Sequence, residues 1–497
     1  MASAVHKTTS GLTALSNATL SDLPENVVRP GFDRSTLSPG IVHIGVGNFH
    51  RAHQAWYLNR LMKAGLAQDW AIVGAGVRPY DATMRDKLLA QDCLTTLIEL
   101  DADHRSAEVI GSMIDYVPVA EDNAPLVAAM ADPAIRIVAM TVTESGYFQT
   151  AEGLDTGHPD IVHDATHPNR PRTAFGAIIA ALRLRRDAGA GPFTALSCDN
   201  LQGNGAILRR VVLGLARMSD PALADWIEHQ CSFPNSMVDC IVPATGEREL
   251  DFARAFGIGD AVPVSHEAFR QWVIEDDFCA GRPPLEQAGV TFSDSVHDYE
   301  MMKLRILNAG HQVVANAGAL LGLETIAEAT THPAVGAFLN KVLSTEVAPH
   351  VPSVAEFTPA QYITLINRRF SNPSIVDTTR RVAFDGSSRH PGFVLPSLRD
   401  ALAVGGEFSG LALAEALWAR YCLGVTEAGA VIAANDPQWS SLTARAQEAA
   451  TRPQAWLEMP AIYGDLANDA RFASEFVGWM ELIGAKGVEA ALAAYTA

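Results

Sequence analysis

The sequence predicts a protein of two domains, an α/β amino-terminal domain built on a parallel sheet and a mainly α-helical carboxy-terminal domain. The chain has 497 residues, more than one hydrophobic core usually organises. Short apolar runs alternate with helix-length segments through the first half, as parallel sheets require. Beyond about residue 290, long helical patterns replace the strand-like runs. We therefore expect domains at residues 1–292 and 293–497.

The first strand and helix form a phosphate-binding pattern. Residues 40–47, GIVHIGVG, are a short apolar run that ends in glycines, and helical periodicity begins near His50. Gly45 permits a tight turn, Gly47 lets the backbone approach a pyrophosphate, and the helix start supplies N–H donors. His50 stands where a third glycine is usual, which predicts looser packing of the helix on its strand. The predicted cofactor contacts are Gly45, Val46, Gly47, Asn48, Phe49, His50 and Arg51.

The next strand predicts which dinucleotide binds. Gly74 and Gly76 follow an apolar run but precede no clean helix, so we interpret them as the end of this strand. Asp81 follows, and a carboxylate here accepts hydrogen bonds from the ribose and repels a 2′-phosphate, which favours NAD over NADP. Arg78 leaves NADP open as the alternative, because a guanidinium there would bind the 2′-phosphate. The predicted strands after the first one are residues 70–77, 94–100, 135–142 and 193–198.

The composition is typical of an ordinary enzyme and argues against several partners. Hydrophobic residues make up 48% and charged residues 19% of the chain, unlike disordered or fibrous proteins. The net charge of −19 predicts repulsion from nucleic acid and from anionic lipid, whereas a neutral small molecule meets no such barrier. No run approaches the ~18 apolar residues of a membrane span, and no signal peptide is recognisable, so we expect a cytoplasmic protein.

The cysteines do not indicate a metal site. The chain has six, without a C-x-x-C pair or a cluster with histidine of the kind that zinc sites need. We expect reduced thiols, no bound metal, and no relation to zinc-dependent alcohol dehydrogenases.

Three polar residues mark a candidate catalytic helix. Lys303, Asn308 and His311 lie in a segment of helical periodicity, residues 299–321. At about 100° per residue, His311 lies roughly 80° and Asn308 roughly 140° around the helix from Lys303, so one broad face presents all three. The alternative is an ordinary amphipathic helix with a solvated lysine and a histidine satisfied in the core.

These motifs together resemble the polyol-specific long-chain dehydrogenase family, also called the mannitol dehydrogenase family. The pattern K-x4-N-x2-H at residues 303–311 and GVGNFHRAH at residues 45–53 carry the resemblance, which runs through nearly the whole chain. It implies a Rossmann-type first domain and NAD-dependent interconversion of a sugar alcohol and its ketose, with D-mannitol, D-arabinitol or D-sorbitol as substrate. It also implies a monomer or a weak homo-oligomer. Further similar segments are residues 197–205, 233–239, 271–276, 369–373 and 385–389.

The resemblance implies a role for each matching residue. Lys303 is expected to be the general base, Asn200 and Asn308 to bind the reacting oxygen, and His311 to hold a substrate hydroxyl. The chemistry agrees, because hydride transfer from carbon requires removal of the hydroxyl proton. Neutral amides suit a developing alkoxide, and a lysine serves as a base only if its surroundings lower its pKa.

The remaining predicted site residues concern the sugar chain and the exit of the proton. Asp239, Arg381 and Arg389 match polyol-binding positions of the family. Glu300 and Glu144 are candidates for passing the proton to solvent, although Glu300 could equally be a helix-surface carboxylate.

Two departures from the family pattern leave the sugar open. Arg389 stands where mannitol dehydrogenases tend to have lysine, and Gln202 and Gly203 stand where they tend to have proline and histidine. A hexuronate reductase of the same family is the alternative function, with Arg381 and Arg389 binding the carboxylate. A non-catalytic sugar or dinucleotide sensor is a remote second, because Lys303 and its partner residues are all present.

Overall fold

The computed structural model describes residues 11–150 and 153–497, except the side chains of residues 144 and 145. The chain divides into two compact units, one ending at His297 and one beginning at Asp298. The first combines sheets and helices and the second is mainly helical, so the predicted fold class is confirmed. The longer strands are β1 (Pro39–Ile44), β2 (Ala71–Ala75), β3 (Thr95–Leu100), β4 (Arg105–Ile110), β5 (Met113–Tyr116), β6 (Ile137–Met140), β7 (Thr194–Ser197), β8 (Ser236–Asp239), β9 (Val264–Glu267) and β10 (Gln271–Ile274).

The main sheet is five-stranded and entirely parallel, in the order β7-β6-β1-β2-β5. The chain leaves β1 toward β2 and β5, then crosses to β6 on the other side, so the topological switch point lies between β1 and β6. Alternate residues of β1 enter different cores: Val42 and Ile44 join one apolar cluster and Ile41 joins another. Both faces are thus covered, as parallel sheets require.

The helices of the first unit cover these faces and link the strands. They are α1 (Asn48–Ala52), α2 (Gln54–Lys63), α3 (Asp81–Leu89), α4 (Ala124–Ala131), α5 (Pro159–Thr166), α6 (Ala174–Ala188), α7 (Asn204–Ser219), α8 (Pro221–Gln230) and α9 (Glu247–Ala255).

One predicted strand belongs to a different sheet. We expected residues 94–100 in the parallel sheet, but β3 pairs antiparallel with β4 and parallel with β9, in a four-stranded mixed sheet completed by Val27–Val28. Only residues 101–104 separate β3 from β4, which is enough for a hairpin and far too few for a parallel crossover. The prediction was wrong because it weighed the apolar run without the short link behind it. A three-stranded sheet joins β8, β10 and Thr291–Phe292.

The helix predicted after the glycine turn is interrupted. His53 leaves helical geometry at φ −118° and ψ −93°, which separates α1 from α2. Its Nε2 lies 3.0 Å from the carbonyl oxygen of Gln271, and its ring packs against Phe49 and Trp272. The break is therefore anchored to β10, a contact far away in sequence.

The second unit packs around α18 (Ser409–Tyr421), a helix that is buried along most of its length. Three of its helical stretches widen into π turns: Lys303–Asn308, Leu343–Val347 and His390–Val394. Its α-helices are α10 (Val296–Met302), α11 (Ala309–Leu320), α12 (Ile326–Thr331), α13 (Pro333–Val342), α14 (Pro359–Phe370), α15 (Thr379–Val382), α16 (Gly386–Arg389), α17 (Leu395–Val404), α18 (Ser409–Tyr421), α19 (Trp439–Ala449), α20 (Gln454–Leu457), α21 (Pro460–Tyr463), α22 (Ala470–Lys486) and α23 (Val488–Thr496).

Within residues 11–150 and 153–497, no helix combines the length and apolar character needed to cross a membrane. In the same part of the chain, no three His, Cys, Asp or Glu side chains come together as metal ligands would.

Candidate active site

The turn after β1 requires glycine for two different reasons. Gly45 has φ +90°, and a Cβ there would lie 2.2 Å from the carbonyl oxygen of Thr141. Its N–H donates to the carbonyl of Ala75 at 2.9 Å, which fixes the turn to the end of β2. Gly47 precedes α1 as its N-cap, and no protein atom lies within 4 Å of the position of an added Cβ. Gly45 is therefore required by the backbone geometry of the turn, whereas Gly47 leaves space in which a ligand can bind.

That space is part of a cavity of about 480 Å³ at the carboxyl ends of the parallel strands. Ligands of open α/β sheets bind at this edge, beside the switch point. The residues that line it follow β1, β2 and β6 or lie on one face of α3: they include Ile44, Gly45, Val46, Gly47, Val77, Arg78, Tyr80, Asp81, Thr83, Met84, Lys87, Thr141, Val142, Thr143, Gly146, Phe148 and Thr173. The glycine turn, the cavity and the acidic residue beside it fit a dinucleotide.

Asp81 is the first residue of α3 and lines this cavity, where the sequence predicted a ribose ligand. Its Oδ2 accepts a hydrogen bond from the backbone N–H of Arg78 at 2.9 Å. A Cβ on Gly76 would come within 2.3 Å of the Asp81 Cβ, so this glycine makes room for the acidic side chain. The Arg78 guanidinium lies 3.3 Å from Asp160, a carboxylate that competes with any 2′-phosphate.

The predicted cofactor residues on α1 use their side chains elsewhere. Asn48 donates to the carbonyl of Pro243 at 3.0 Å and to Thr245 at 2.9 Å. The buried Arg51 guanidinium donates to Asn48 Oδ1 at 2.7 Å and to the carbonyl of Val262. Asn48 and Arg51 therefore tie the turn to the chain beyond β8.

His50, which stands where a third glycine is usual, is buried away from solvent. It is 1% exposed, and its ring stacks on that of His43 in β1 with the centroids 3.5 Å apart. Burial holds the pKa of His50 well below its ordinary value, so the ring is neutral. The helix packs on its strand through two imidazoles where a glycine would allow backbone contact.

Asn200 is exposed in the turn after β7 and follows a buried carboxylate. Asp199 accepts hydrogen bonds from the N–H groups of Thr143, at 2.8 Å, and Val142, at 3.2 Å. Its Oδ2 also accepts from the hydroxyl of Tyr147 at 2.7 Å. Two strand ends, those of β6 and β7, are thereby joined beneath Asn200.

Asp239, the last residue of β8, is 4% exposed. Its strand is joined to the Asn200 turn by Asn204, whose Nδ2 donates to the carbonyls of Asp199 at 3.1 Å and Ser236 at 2.8 Å. Glu144 lies in the single 3-10 turn Glu144–Tyr147 after β6, but its side chain falls outside the described residues.

Lys303 begins the first π turn and is 9% exposed, with Glu300 at 5% one turn earlier. The α-helical angles that we predicted do not hold across this turn, because the Leu304 carbonyl accepts from the N–H of Ala309, five residues on. A π turn brings residues five apart to the same side of a helix. Lys303 and Asn308 are five apart, so they lie closer in angle than predicted.

His311 and Arg389 are each fixed by neighbours within the helical unit. The His311 ring stacks on Phe370 at a centroid distance of 4.0 Å and 12° between the planes. Arg389 donates to the carbonyl of Val382 at 2.7 Å, and this carbonyl also accepts from Gln312 Nε2 at 3.0 Å. Because Gln312 follows His311, the carbonyl connects two predicted substrate residues.

Arg381 is engaged differently from Arg389. Its guanidinium pairs through two nitrogens with both carboxylate oxygens of Asp377, four residues earlier, and its side chain is 64% exposed. Arg381, which was predicted to bind the polyol, thus already pairs with a carboxylate of the protein. Its role toward the substrate stays a prediction.

The sequence did not single out Asp199, Tyr147 or Asn204, although residues 197–205 were noted as a family-like segment. Nor did it single out Lys87, which lines the cavity from α3. The positions of Tyr80, Thr83, Met84 and Lys87 have helical spacing, which was the available signal.

Comparison with known proteins identifies the family. The model of the mannitol dehydrogenase Rossmann domain matches residues 39–287, and that of the mannitol dehydrogenase C-terminal domain matches residues 295–483. Mannitol 2-dehydrogenase of Cereibacter sphaeroides is 55% identical over 476 residues, covering 96% of this chain and 100% of that protein. Mannitol 2-dehydrogenase of Phaeosphaeria nodorum is 41% identical over 488 residues, covering 97% and 85%.

Solved structures agree over the whole chain. The ternary complex of Pseudomonas fluorescens mannitol 2-dehydrogenase with NAD and D-mannitol has a TM-score of 0.88 and 39% identity, covering 97% of this chain and 99% of that one. A substrate-free D-sorbitol dehydrogenase also has a TM-score of 0.88, with 36% identity and 96% and 100% coverage. The predicted family is confirmed: this chain belongs to the mannitol dehydrogenase family.

Proposed function

We propose that this protein oxidises D-mannitol at carbon 2 to D-fructose with NAD, and catalyses the reverse reduction. The observation that carries the proposal is the cavity at the switch point, in which Gly45, Gly47 and Asp81 meet as a dinucleotide site. The substrate is supported by the relative that is 55% identical and is a mannitol 2-dehydrogenase.

Both the open space and the negative charge at the proposed cofactor site suit NAD. NAD, when bound, supplies the hydride acceptor. Gly47 leaves room for the pyrophosphate, and Asp81 offers acceptors to the ribose hydroxyls. Its negative charge disfavours a 2′-phosphate, while Arg78 is engaged with Asp160.

Lys303 is the general base in this proposal. Loss of a hydride from carbon 2 must be accompanied by loss of the hydroxyl proton, and a neutral Lys303 Nζ takes it. Asn200 and Asn308 donate amide hydrogens to the oxygen as negative charge grows on it. In the reverse direction, hydride adds to the carbonyl carbon of the ketose, and the protonated lysine gives its proton to the oxygen that becomes negative.

The rest of the polyol is recognised by hydroxyl-binding groups. His311 holds one hydroxyl, and Asp239, Arg381 and Arg389 offer acceptors and donors to the others. Of the two arginines, Arg389 donates to the carbonyl of Val382, whereas the Arg381 guanidinium pairs with the carboxylate of Asp377. Glu300 and Glu144 are the proposed proton path from Lys303. Cytoplasmic location and monomeric or weakly oligomeric state remain predictions.

Initial rates with a substrate panel test the proposal. We expect D-mannitol with NAD to give the highest kcat/KM among mannitol, arabinitol and sorbitol, and fructuronate to be reduced poorly with NADH. EDTA should leave the rate unchanged. A higher kcat/KM for sorbitol would reassign the polyol, efficient fructuronate reduction would favour the uronate alternative, and loss of activity with EDTA that zinc restores would contradict metal-free chemistry.

A further inference from the structure

The carboxylate of Asp199 connects the cofactor cavity to the turn of Asn200. It is 6% exposed and accepts from the consecutive N–H groups of Val142 and Thr143, at 3.2 and 2.8 Å. Both residues line the cavity. Asp199 itself directly precedes Asn200, so one side chain spans the distance between a cofactor-binding turn and a proposed catalytic amide.

The turn that Asp199 holds is strained. Thr143 has φ +67° and ψ 161°, a region that is nearly reserved for glycine. A β-branched residue stays in such a conformation only where its surroundings enforce it. The hydrogen bond from the Thr143 N–H to a buried carboxylate supplies that constraint, because it is charge-assisted.

The other side of Asp199 is fixed just as firmly. Its N–H donates to the hydroxyl of Ser197 at 3.3 Å, and its carbonyl accepts from Asn204 Nδ2 at 3.1 Å. Tyr147, which is fully buried, places its hydroxyl 2.6 Å from that of Ser197 while donating to the Asp199 carboxylate. Hydrogen bonds therefore fix both the backbone and the side chain of Asp199. They also constrain the orientation of the next residue, Asn200.

We infer that Asp199 is a positioning residue that couples the cofactor-lining turn at Thr143 to the placement of Asn200. This inference rests on the proposed function, since it gives Asn200 its role toward the reacting oxygen. Asp199 touches neither cofactor nor substrate and acts through Asn200 alone. Contacts of the cofactor with the turn at Thr143 thereby support the geometry of the amide that stabilises the alkoxide.

A double-mutant cycle of Asp199→Asn and Asn200→Ala tests the coupling. An asparagine at position 199 would point its own N–H₂ group at one or more of the three donors that the carboxylate accepts from. Some of these hydrogen bonds would then be lost, while the volume of the side chain stays nearly the same. Misplacing a catalytic group by about 1 Å can cost up to ~10²-fold in rate, so we expect Asp199→Asn to lower kcat about 10- to 100-fold. In the Asn200→Ala background the same change should lower kcat by less than about twofold, since the group through which it acts is gone.

Asp260→Asn is the matched control. Asp260 is also buried in the first unit, and its carboxylate accepts from two backbone N–H groups, those of Thr96 and Val262 at 2.7 Å, and from Gln91 Nε2 at 2.9 Å. The Asp260→Asn variant should lower the Tm about as much as Asp199→Asn does, and its kcat should stay within twofold of the wild-type value. Tyr147→Phe, which removes one of the three donors, provides a milder variant with the same non-additive pattern if Asp199→Asn does not fold.

Each outcome decides the inference. A loss in kcat that vanishes in the Asn200→Ala background supports it. An equal loss in both backgrounds, or a lowered Tm with normal kcat, overturns it and leaves the proposed function standing. Near-normal turnover of Asn200→Ala alone would overturn both this inference and the proposed role of Asn200.

Discussion

Replacing Gly47 by alanine should separate cofactor binding from folding. The residue lies at φ −87° and ψ −176°, which alanine adopts freely, and no protein atom lies within 4 Å of the new methyl group. Folding should be unaffected, or favoured by about 0.4–1 kcal/mol through the unfolded state. Because Gly47 lines the cavity, the methyl occupies space that a pyrophosphate needs. We expect the Kd of NADH to rise at least ~10-fold, which corresponds to about 1.4 kcal/mol.

Gly45→Ala provides the contrast two residues away. Its φ of +90° costs an L-residue about 1–2 kcal/mol, and a Cβ 2.2 Å from the Thr141 carbonyl adds about 1–3 kcal/mol of overpacking. The sum of about 2–5 kcal/mol should lower the Tm by roughly 3–8 °C in a unit that ends at His297, at about 2.1 cal/mol/K of unfolding entropy per residue. This variant is destabilised whether or not the cofactor is present.

Thermal unfolding and NADH fluorescence titration measure both effects. Gly47→Ala should keep the wild-type Tm without cofactor and lose most of the increase in Tm that NADH gives to the wild type. A Gly47→Ala protein that binds NADH normally would refute the assignment of this turn to the pyrophosphate. A Gly45→Ala protein of wild-type Tm would refute the steric reasoning.

Three further predictions address the base, the cofactor and pH. Lys303→Ala should lower kcat for mannitol oxidation at least ~10²-fold and remove one ionisation from the pH–rate profile, with the Kd of NADH unchanged; a normal rate or profile in steady-state assays would contradict the role of base. Asp81→Ala should lower the ratio of kcat/KM with NAD to kcat/KM with NADP. An unchanged ratio would mean that other residues determine which cofactor binds. Burial lowers the pKa of His43 and of His266 to about 3, so below pH 6.5 the unfolded chain binds protons that the folded chain does not. Urea unfolding should therefore show about 2 kcal/mol less stability per histidine at pH 5 than at pH 7, and equal stability at the two pH values would argue against neutral buried rings.

Local patterns predicted the elements that depend on local physics. The apolar run and glycines at residues 40–47 predicted β1 and its turn, and the structure gives Gly45 the positive φ that such a turn needs. The strand predicted at residues 70–77 is β2, observed at Ala71–Ala75. Asp81 was placed beside the cofactor turn by its position after a strand, and it lines the same cavity.

Features that depend on distant contacts were not predictable in this way. The break at His53 depends on Gln271 and Trp272, which lie more than 200 positions away. The clamp around Asp199 unites residues from two strand ends, and a carboxylate's partners cannot be identified from its own neighbours in sequence. The π turn at Lys303 has no propensity signature, since its residues are ordinary helix formers, and it needed the packed structure to become visible.

A π turn is a helical turn that holds one residue more than an α-helix would use. The one at Lys303–Asn308 means that the loss of a single codon in this stretch would let the helix close as a regular α-helix without breaking the chain. Because the π turn already absorbs the extra residue, the helix on the two sides of the deletion would keep roughly the same relative orientation, and the lysine and asparagine, now four residues apart in an α-helix, would lie about 40° from each other. Among related genes, a one-codon gap at this place would thus preserve both the fold and the shared side of the lysine and the asparagine, whereas the same gap in a regular α-helix would turn one part of the helix by about 100° relative to the other.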